Sequence, residues 1–328
     1  MTRAAWFVAF ALPLAAQPKL LVNAQLKTQS AGAGLEATFR GLLSAQPQPA
    51  WIGWSVPSVR TGGLGCEYVR DSFNTAGVVH LEPPDHAVIL FRVEGGAVDR
   101  VRSLSPDCEI DAGGVPVYWL TDVQPAQSVA LLASFATQRE RLGDGMVGAI
   151  AQHADASADQ ALDRFLAADQ PESLRRRVVS SMGSARGRHG FEVLKRLVAG
   201  DPDARVRVQA VSALASSKEP EARDLLISIA RTDKTPRMRE QAISALSRKA
   251  APEVLATMSK VIESDPDTQV RRRAVSALNT LPDGAGVVLL IQVVKTMQDP
   301  EVRKQAMSTL GQSRDPRAVA FFEEVLKK

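Results

Sequence analysis

Val206-Arg207-Val208-Gln209-Ala210-Val211-Ser212-Ala213-Leu214 and Val270-Arg271-Arg272-Arg273-Ala274-Val275-Ser276-Ala277-Leu278 share one skeleton, Val-Arg-x-x-Ala-Val-Ser-Ala-Leu. The pairs Leu174-Arg175, Val206-Arg207, Met238-Arg239, Val270-Arg271 and Val302-Arg303 recur at a constant spacing of 32. Four residues after each apolar member come Val178, Ala210, Ala242, Ala274 and Ala306, and five after come Val179, Val211, Ile243, Val275 and Met307. Eight after come Met182, Leu214, Leu246, Leu278 and Leu310. Positions 0, 4, 5 and 8 fall on one side of an α-helix, so each block opens with an amphipathic helix.

A second helix follows in the same frame. Leu194, Leu226, Met258, Leu290 and Phe322 form one apolar column, and Leu197, Ile229, Val261, Val293 and Val325 the next. One period upstream of Leu174 stand Leu142, Met146, Val147 and Ile150, then Leu162, Phe165 and Leu166. These mark a sixth, degenerate repeat of the kind that caps an array. A lone helix pair cannot bury its apolar face, but stacked neighbours make one continuous core. The chain is therefore expected to be mainly α. Residues 141–328 form an α-solenoid of six 32-residue repeats. A helix over 125–140 joins it to a small, mostly β (α+β) domain over 17–124.

The skeleton, with an Asp a few residues upstream, resembles the HEAT family and its short bilin-lyase-like subclass across the solenoid. In that family a recurring Asp and Arg stack into a ladder between repeats. The resemblance assigns the ladder to Asp169/Arg175, Asp201/Arg207, Asp233/Arg239 and Asp265/Arg271, each six apart. The fifth pair departs, because Met297 stands where an Asp would precede Arg303, with Asp299 near enough to substitute. The subclass would imply bilin-lyase activity, for which no residue outside the repeat speaks. Ser180, Ser212, Ser244, Ser276 and Ser308 form a column continued by Gly148. No His or Lys recurs in register to activate such a row of serines, so small side chains admitting close helix approach explain it.

The N-terminus reads as a secretory signal over residues 1–16: Arg3, an apolar run from Ala4 to Leu12, then Leu14-Ala15-Ala16 before Gln17. A buried helix is the competing reading, but the run is short and Pro13 breaks it. The expected location is periplasmic or secreted, and no later stretch is long and apolar enough to span a membrane. In an oxidising compartment the even pair Cys66 and Cys108 is expected to form a disulfide. From Arg141 onward, 30 Lys and Arg are interspersed with 24 Asp and Glu, without the single-sign block of a nucleic-acid arm.

In the N-terminal domain, Leu35, Phe39, Leu42 and Leu43 predict a short helix. Strands are predicted over 51–56, 78–81, 88–93, 98–104 and 117–120, with Gly95-Gly96 turning a hairpin and Pro125 opening the connecting helix. Three groups there bear on chemistry. His80, Glu82, Asp85 and His86 are weak candidate metal ligands, set against the turn that Pro83-Pro84 implies. Asp107, Glu109 and Asp111 resemble a calcium loop faintly, but Ala112 stands where such loops need Gly. Trp51, Trp54, Tyr68, Tyr118 and Trp119 are core or, alternatively, an aromatic ligand patch.

The expected function is an exported, non-enzymatic scaffold or adaptor that binds a protein or peptide partner through the solenoid. No nucleic acid, cofactor or catalytic residue is implied. Specificity can be written into outward positions of the second helices, which vary while the core columns stay constant. Those positions include Phe191, Lys195 and Arg196, then Arg223 and Arg231, then Leu255 and Lys260, then Val288, Ile291 and Lys295. Their mixture of apolar and basic residues fits a partner of some acidic character. An enzyme or ligand-binding domain at the N-terminus, with the solenoid as targeting arm, is the alternative.

Overall fold

The computed structural model describes residues 21–59, 66, 85–137, 143–249 and 251–327. The signal segment and the strand expected over 78–81 lie outside these residues. The chain divides into two compact units, the first ending at Arg164 and the second beginning at Phe165.

The first unit runs β1 (Leu21–Val22), β2 (Gln25–Ser30), α1 (Leu35–Ser44), β3 (Ala50–Pro57), β4 (His86–Glu94), β5 (Ala97–Leu104), β6 (Ile110–Asp111), β7 (Pro116–Thr121), α2 (Pro125–Ala136), α3 (Gly143–Gln152) and α4 (Ala156–Phe165). A five-stranded sheet has the order β2-β7-β3-β4-β5, while β1 pairs with β6 separately. The β3-β4-β5 meander is antiparallel, and β7 lies parallel to both β2 and β3. Gly95 and Gly96 turn the β4-β5 hairpin at φ of 57° and 72°, which suits residues without a Cβ. The predicted helix at 35–43 and strands β3, β4, β5 and β7 are present. Strand β2 was not anticipated, because every one of its side chains is exposed and no apolar alternation marks it.

β4 is apolar on both faces because both are covered. On one face Phe91 stacks on Trp54 at 5.3 Å, and Phe39 and Phe135 of the two helices close the cluster at 4.8 and 6.0 Å from Phe91. On the other, Val88, Leu90 and Trp119 pack with Trp51, Leu104 and Ile110. Gly53 makes room there, since a Cβ on it would lie 2.4 Å from Leu90. Cys66 and Cys108 form the expected disulfide, with Cα atoms 5.5 Å apart.

The second unit continues with α5 (Glu172–Ala185), α6 (Gly187–Gly200), α7 (Ala204–Leu214), α8 (Pro220–Thr232), α9 (Pro236–Leu246), α10 (Pro252–Ser264), α11 (Thr268–Leu278), α12 (Val287–Thr296), α13 (Pro300–Gly311) and α14 (Pro316–Leu326). These are five successive helix pairs in the predicted frame. α3 and α4 stand where the sixth, degenerate repeat was expected, but α3 belongs to the first unit, where it packs on α2 and β5. First helices start on caps that the sequence supplies: the carboxylates of Asp203, Asp267 and Asp299 accept the backbone N–H groups two and three residues on. Each first helix from α7 onward lies against both helices of the preceding pair. The columns Val178/Ala210/Ala242/Ala274/Ala306 and Met182/Leu214/Leu246/Leu278/Leu310 are wholly inaccessible as a result. Approach is close where Gly183 meets α7, since a Cβ there would lie 2.1 Å from the Ala213 carbonyl oxygen.

Candidate functional site

The Asp–Arg ladder links neighbouring repeats, and its registration differs from the sequence expectation. The Arg239 guanidinium donates from Nε and Nη2 to the Asp265 carboxylate at 2.7 and 2.8 Å, a bidentate pair spanning 26 residues. Its Nη1 donates to the Asp233 carbonyl at 2.8 Å. The six-apart partner is thus a backbone oxygen, and the carboxylate comes from the next repeat. Arg175 reaches the Asp201 carboxylate, also 26 residues on, through Nη2 alone, while its Nε donates to the Leu166 carbonyl at 3.1 Å, and Arg271 meets Asp299 at 2.7 Å. Asp299 does replace the missing acid at Met297, but for the preceding repeat's arginine. Arg239 and Asp265 are both buried, and the paired carboxylate holds the guanidinium pKa above its ordinary value.

A second ladder, on the first helices, was not read from the sequence. Ser180, Ser212 and Ser276 accept from the side-chain amides of Gln209, Gln241 and Gln305, and Ser244 accepts from Arg273 Nε. Each serine also donates to the carbonyl four residues back. The serine column is a row of inter-repeat acceptors as well as small residues. The column Gln209, Gln241, Arg273, Gln305 was its visible signal.

The periodic frame, the stacked helix pairs and the ladder agree with the family comparison. The model of HEAT repeats matches residues 158–247 and 255–328, half of the chain. The chain belongs to the HEAT-repeat family. The solved structures similar to this HEAT chain include a human protein and a Nostoc complex. Human deoxyhypusine hydroxylase in complex with glycerol is 18% identical, over 60% of this chain and 77% of that one, with a TM-score of 0.27. The complex of CpcE and CpcF of phycocyanin lyase from Nostoc sp. PCC7120 is 21% identical, over 58% and 77%, with a TM-score of 0.33. No curated protein matches the chain.

On the second helices of the HEAT stack, the outward residues proposed from sequence divide. Lys195 and Arg196 on α6, Arg231 at the end of α8, Lys260 on α10, and Val288 and Lys295 on α12 are exposed. Arg223, Leu255 and Ile291 are half-buried. Phe191 is a correction: it is 3% exposed, packed inward with the Arg188 guanidinium 5.2 Å from its ring centre. Its position near the start of α6 faces the core because it lies three residues before Leu194, on the same side of the helix.

Arg231 and Lys260, from successive repeats, line one pocket of about 380 Å³ with Thr232, Asp233, Ser264 and Pro266. The Arg239–Asp265 pair forms its floor. That pair is internally neutral and locked by three hydrogen bonds. Neither Arg231 nor Lys260 has an ion-pair partner among the described residues. Asp233, half-buried, is the one further charge on the lining, and its carboxylate accepts from the Thr235 N–H at 2.8 Å. The pocket therefore presents a net positive, polar mouth over a rigid base.

The N-terminal candidates do not converge. His86 Nδ1 lies 2.6 Å from the Asp85 carboxylate, and this hydrogen bond holds Asp85 below its ordinary pKa. His80 and Glu82 lie outside the described residues, as does Tyr68. Among the described residues no three His, Cys, Asp or Glu side chains gather. Asp111 caps the Gly113 N–H at 2.8 Å in its own turn. Trp54 and Trp119 are fully buried on opposite faces of the sheet and belong to the core, whereas Trp51 and Tyr118 are half-buried, so these aromatics do not form one patch. One buried contact was missed. His153 Nε2 accepts from Ser128 Oγ at 2.8 Å, and Trp54 Nε1 donates to the same oxygen at 2.8 Å. The His153 Nδ1–H donates to the Ala149 carbonyl at 2.8 Å. Both residues are wholly inaccessible, so this serine–histidine pair clamps β3, α2 and α3 and meets no substrate.

Proposed function

We propose that this HEAT chain is an exported, non-enzymatic scaffold that holds a protein or peptide partner through its second helices. The observation that carries the reading is the pocket where Arg231 and Lys260 meet over the Arg239–Asp265 pair. Two cations without ion-pair partners on a fixed base favour an acidic side chain or a chain-terminal carboxylate, at little cost in ordering the site. Lys195, Arg196 and Lys295 extend the basic character along the same set of helices. Export is supported by the Arg3-to-Ala16 segment and by the disulfide.

The test is capture from envelope extract by the immobilised chain, comparing the unaltered protein with Arg231→Glu/Lys260→Glu. A partner retained by the first and lost by the second, with binding that weakens as salt rises, is the expected result. Reversal of the first-helix cations Arg176, Arg177 and Arg272 serves as the matched control and leaves binding intact. Loss of binding in the control, with the pocket variant unaffected, would place the partner on the opposite helices.

A further inference from the structure

Arg175, Arg239 and Arg271 each meet a carboxylate of the next repeat, but Arg207, in the same column, meets none among the described residues. Its Nη1 donates to the Asp201 carbonyl, as that of Arg239 does to the Asp233 carbonyl. The acid that register assigns to Arg207 is Asp233, 26 residues on. Asp233 accepts the Thr235 N–H through Oδ1, just as Asp201 and Asp265 accept the N–H two residues on. In Asp201 and Asp265 the arginine takes up Oδ2. The Oδ2 of Asp233 has no partner among the described residues. The chain departs from its pattern at the same place. Asp201-Pro202-Asp203 and Asp265-Pro266-Asp267 supply a proline after the rung acid and an Asp cap for the helix. Asp233-Lys234-Thr235 supplies neither, and α9 starts without a side-chain cap.

A half-buried carboxylate without a counter-charge is costly beside its paired equivalents. This one lines the pocket that also holds Arg231 and Lys260. A simple anion entering there would meet both cations but be repelled by Asp233. An occupant that carries a cation beside its carboxylate satisfies all three charges at once. The lone acid then works as a discriminator, rejecting acids that lack the cation. We propose that the pocket selects a carboxylate with an ammonium or guanidinium alongside it, and that Asp233 reads the cation. A chain ending in lysine or arginine carries that chemistry, and so does an internal acid–base pair of side chains. The proposal rests on the reading that Arg231 and Lys260 hold the partner's acidic group.

Fluorescein-labelled peptides titrated with the purified full chain, read by fluorescence polarisation, test it. One peptide ends in Gly-Gly-Lys with a free carboxylate, and another carries Gly-Asp-Lys-Gly closed by an amide. Each has a twin in which norleucine replaces lysine. The lysine peptide should bind about tenfold tighter than its twin, and the pair that shows the preference names the source of the carboxylate. Asp233→Asn keeps an acceptor for the Thr235 N–H. It should remove the preference by weakening the lysine peptide, with the norleucine twin bound at least as well as before. Arg231→Glu/Lys260→Glu should abolish binding of every peptide. Equal affinity of the lysine and norleucine peptides for the unaltered chain overturns the proposal and leaves the reading of the pocket standing. A preference that survives Asp233→Asn overturns the role of that residue. Peptides that bind Arg231→Glu/Lys260→Glu as tightly as the unaltered chain, or that bind neither, overturn both.

Discussion

Arg239 meets Asp265, 26 residues on, whereas Lys27 on the sheet edge reaches Tyr118, 91 residues on. The helical stack is held by contacts within about one repeat. The mixed sheet is held by pairings that close loops across the first unit, as when β7 enters between β2 and β3. A stack of this kind is a sum of repeats and nearest-neighbour interfaces, so damage stays near its origin. A sheet with one shared aromatic cluster fails as a block, since Phe39, Trp54, Phe91 and Phe135 each touch several elements.

The sharpest break of this contrast is a pair of core truncations. Phe91→Ala should cost about 3–5 kcal/mol and Leu226→Ala about 2–5 kcal/mol, both residues being fully buried. The distinction is in hydrogen exchange: the first should raise exchange across all five strands, the second mainly in α8 and the helices beside it. Equal spread in the two variants would erase the contrast.

The ladder separates rungs by burial. Removing one partner of a buried pair strands the other, so Arg239→Ala should cost about 3 kcal/mol or more by urea denaturation. The Arg271–Asp299 pair is about one-fifth exposed on each side, and Arg271 Nε is buried without a partner. Arg271→Ala should cost roughly 1 kcal/mol. Identical costs would mean that burial does not set the strength of a rung. Next, Cys108→Ser should destabilise the first unit by about 2–4 kcal/mol and leave exchange in α7 to α13 unaltered.

The smallest effect is a pH dependence. Asp315 accepts from Arg317 and is held down from 3.8 to about 2. Its folded pKa lies below its unfolded one, so on acidification the unfolded chain binds the proton first. The contribution is present above pH 4 and lost as pH falls from about 4 to 2. Asp315→Asn should flatten the acid limb of the stability curve in that window alone.

The same contrast explains what was legible in the sequence. Helix pairs could be read residue by residue, because burial repeats with the period that the helices impose, and the core columns proved buried as the frame required except at Met307, Phe322 and Val325 of the last pair. The strands β3, β4, β5 and β7 were found from their apolar runs, but their order was not, because no local signal says that β7 lies between β2 and β3. β2 escaped altogether, being exposed on both faces with Leu26 its only apolar residue. At the candidate surface, Arg231 and Lys260 were legible as outward cations, but not their convergence. Phe191 was misplaced because an aromatic residue that varies between repeats looks outward in the frame, whereas helical spacing to Leu194 turns it in. The ladder's partners were misassigned because sequence spacing records which residues recur, not which repeat a long guanidinium reaches.

The central claim is that the partner sits on the second helices, at the pocket between Arg231 and Lys260. A hydrogen-exchange footprint of the captured complex tests it most directly. The account predicts protection over the C-terminal halves of α8 and α10, with α7, α9 and α11 unchanged. Protection confined to those first helices, or to the sheet, would contradict it.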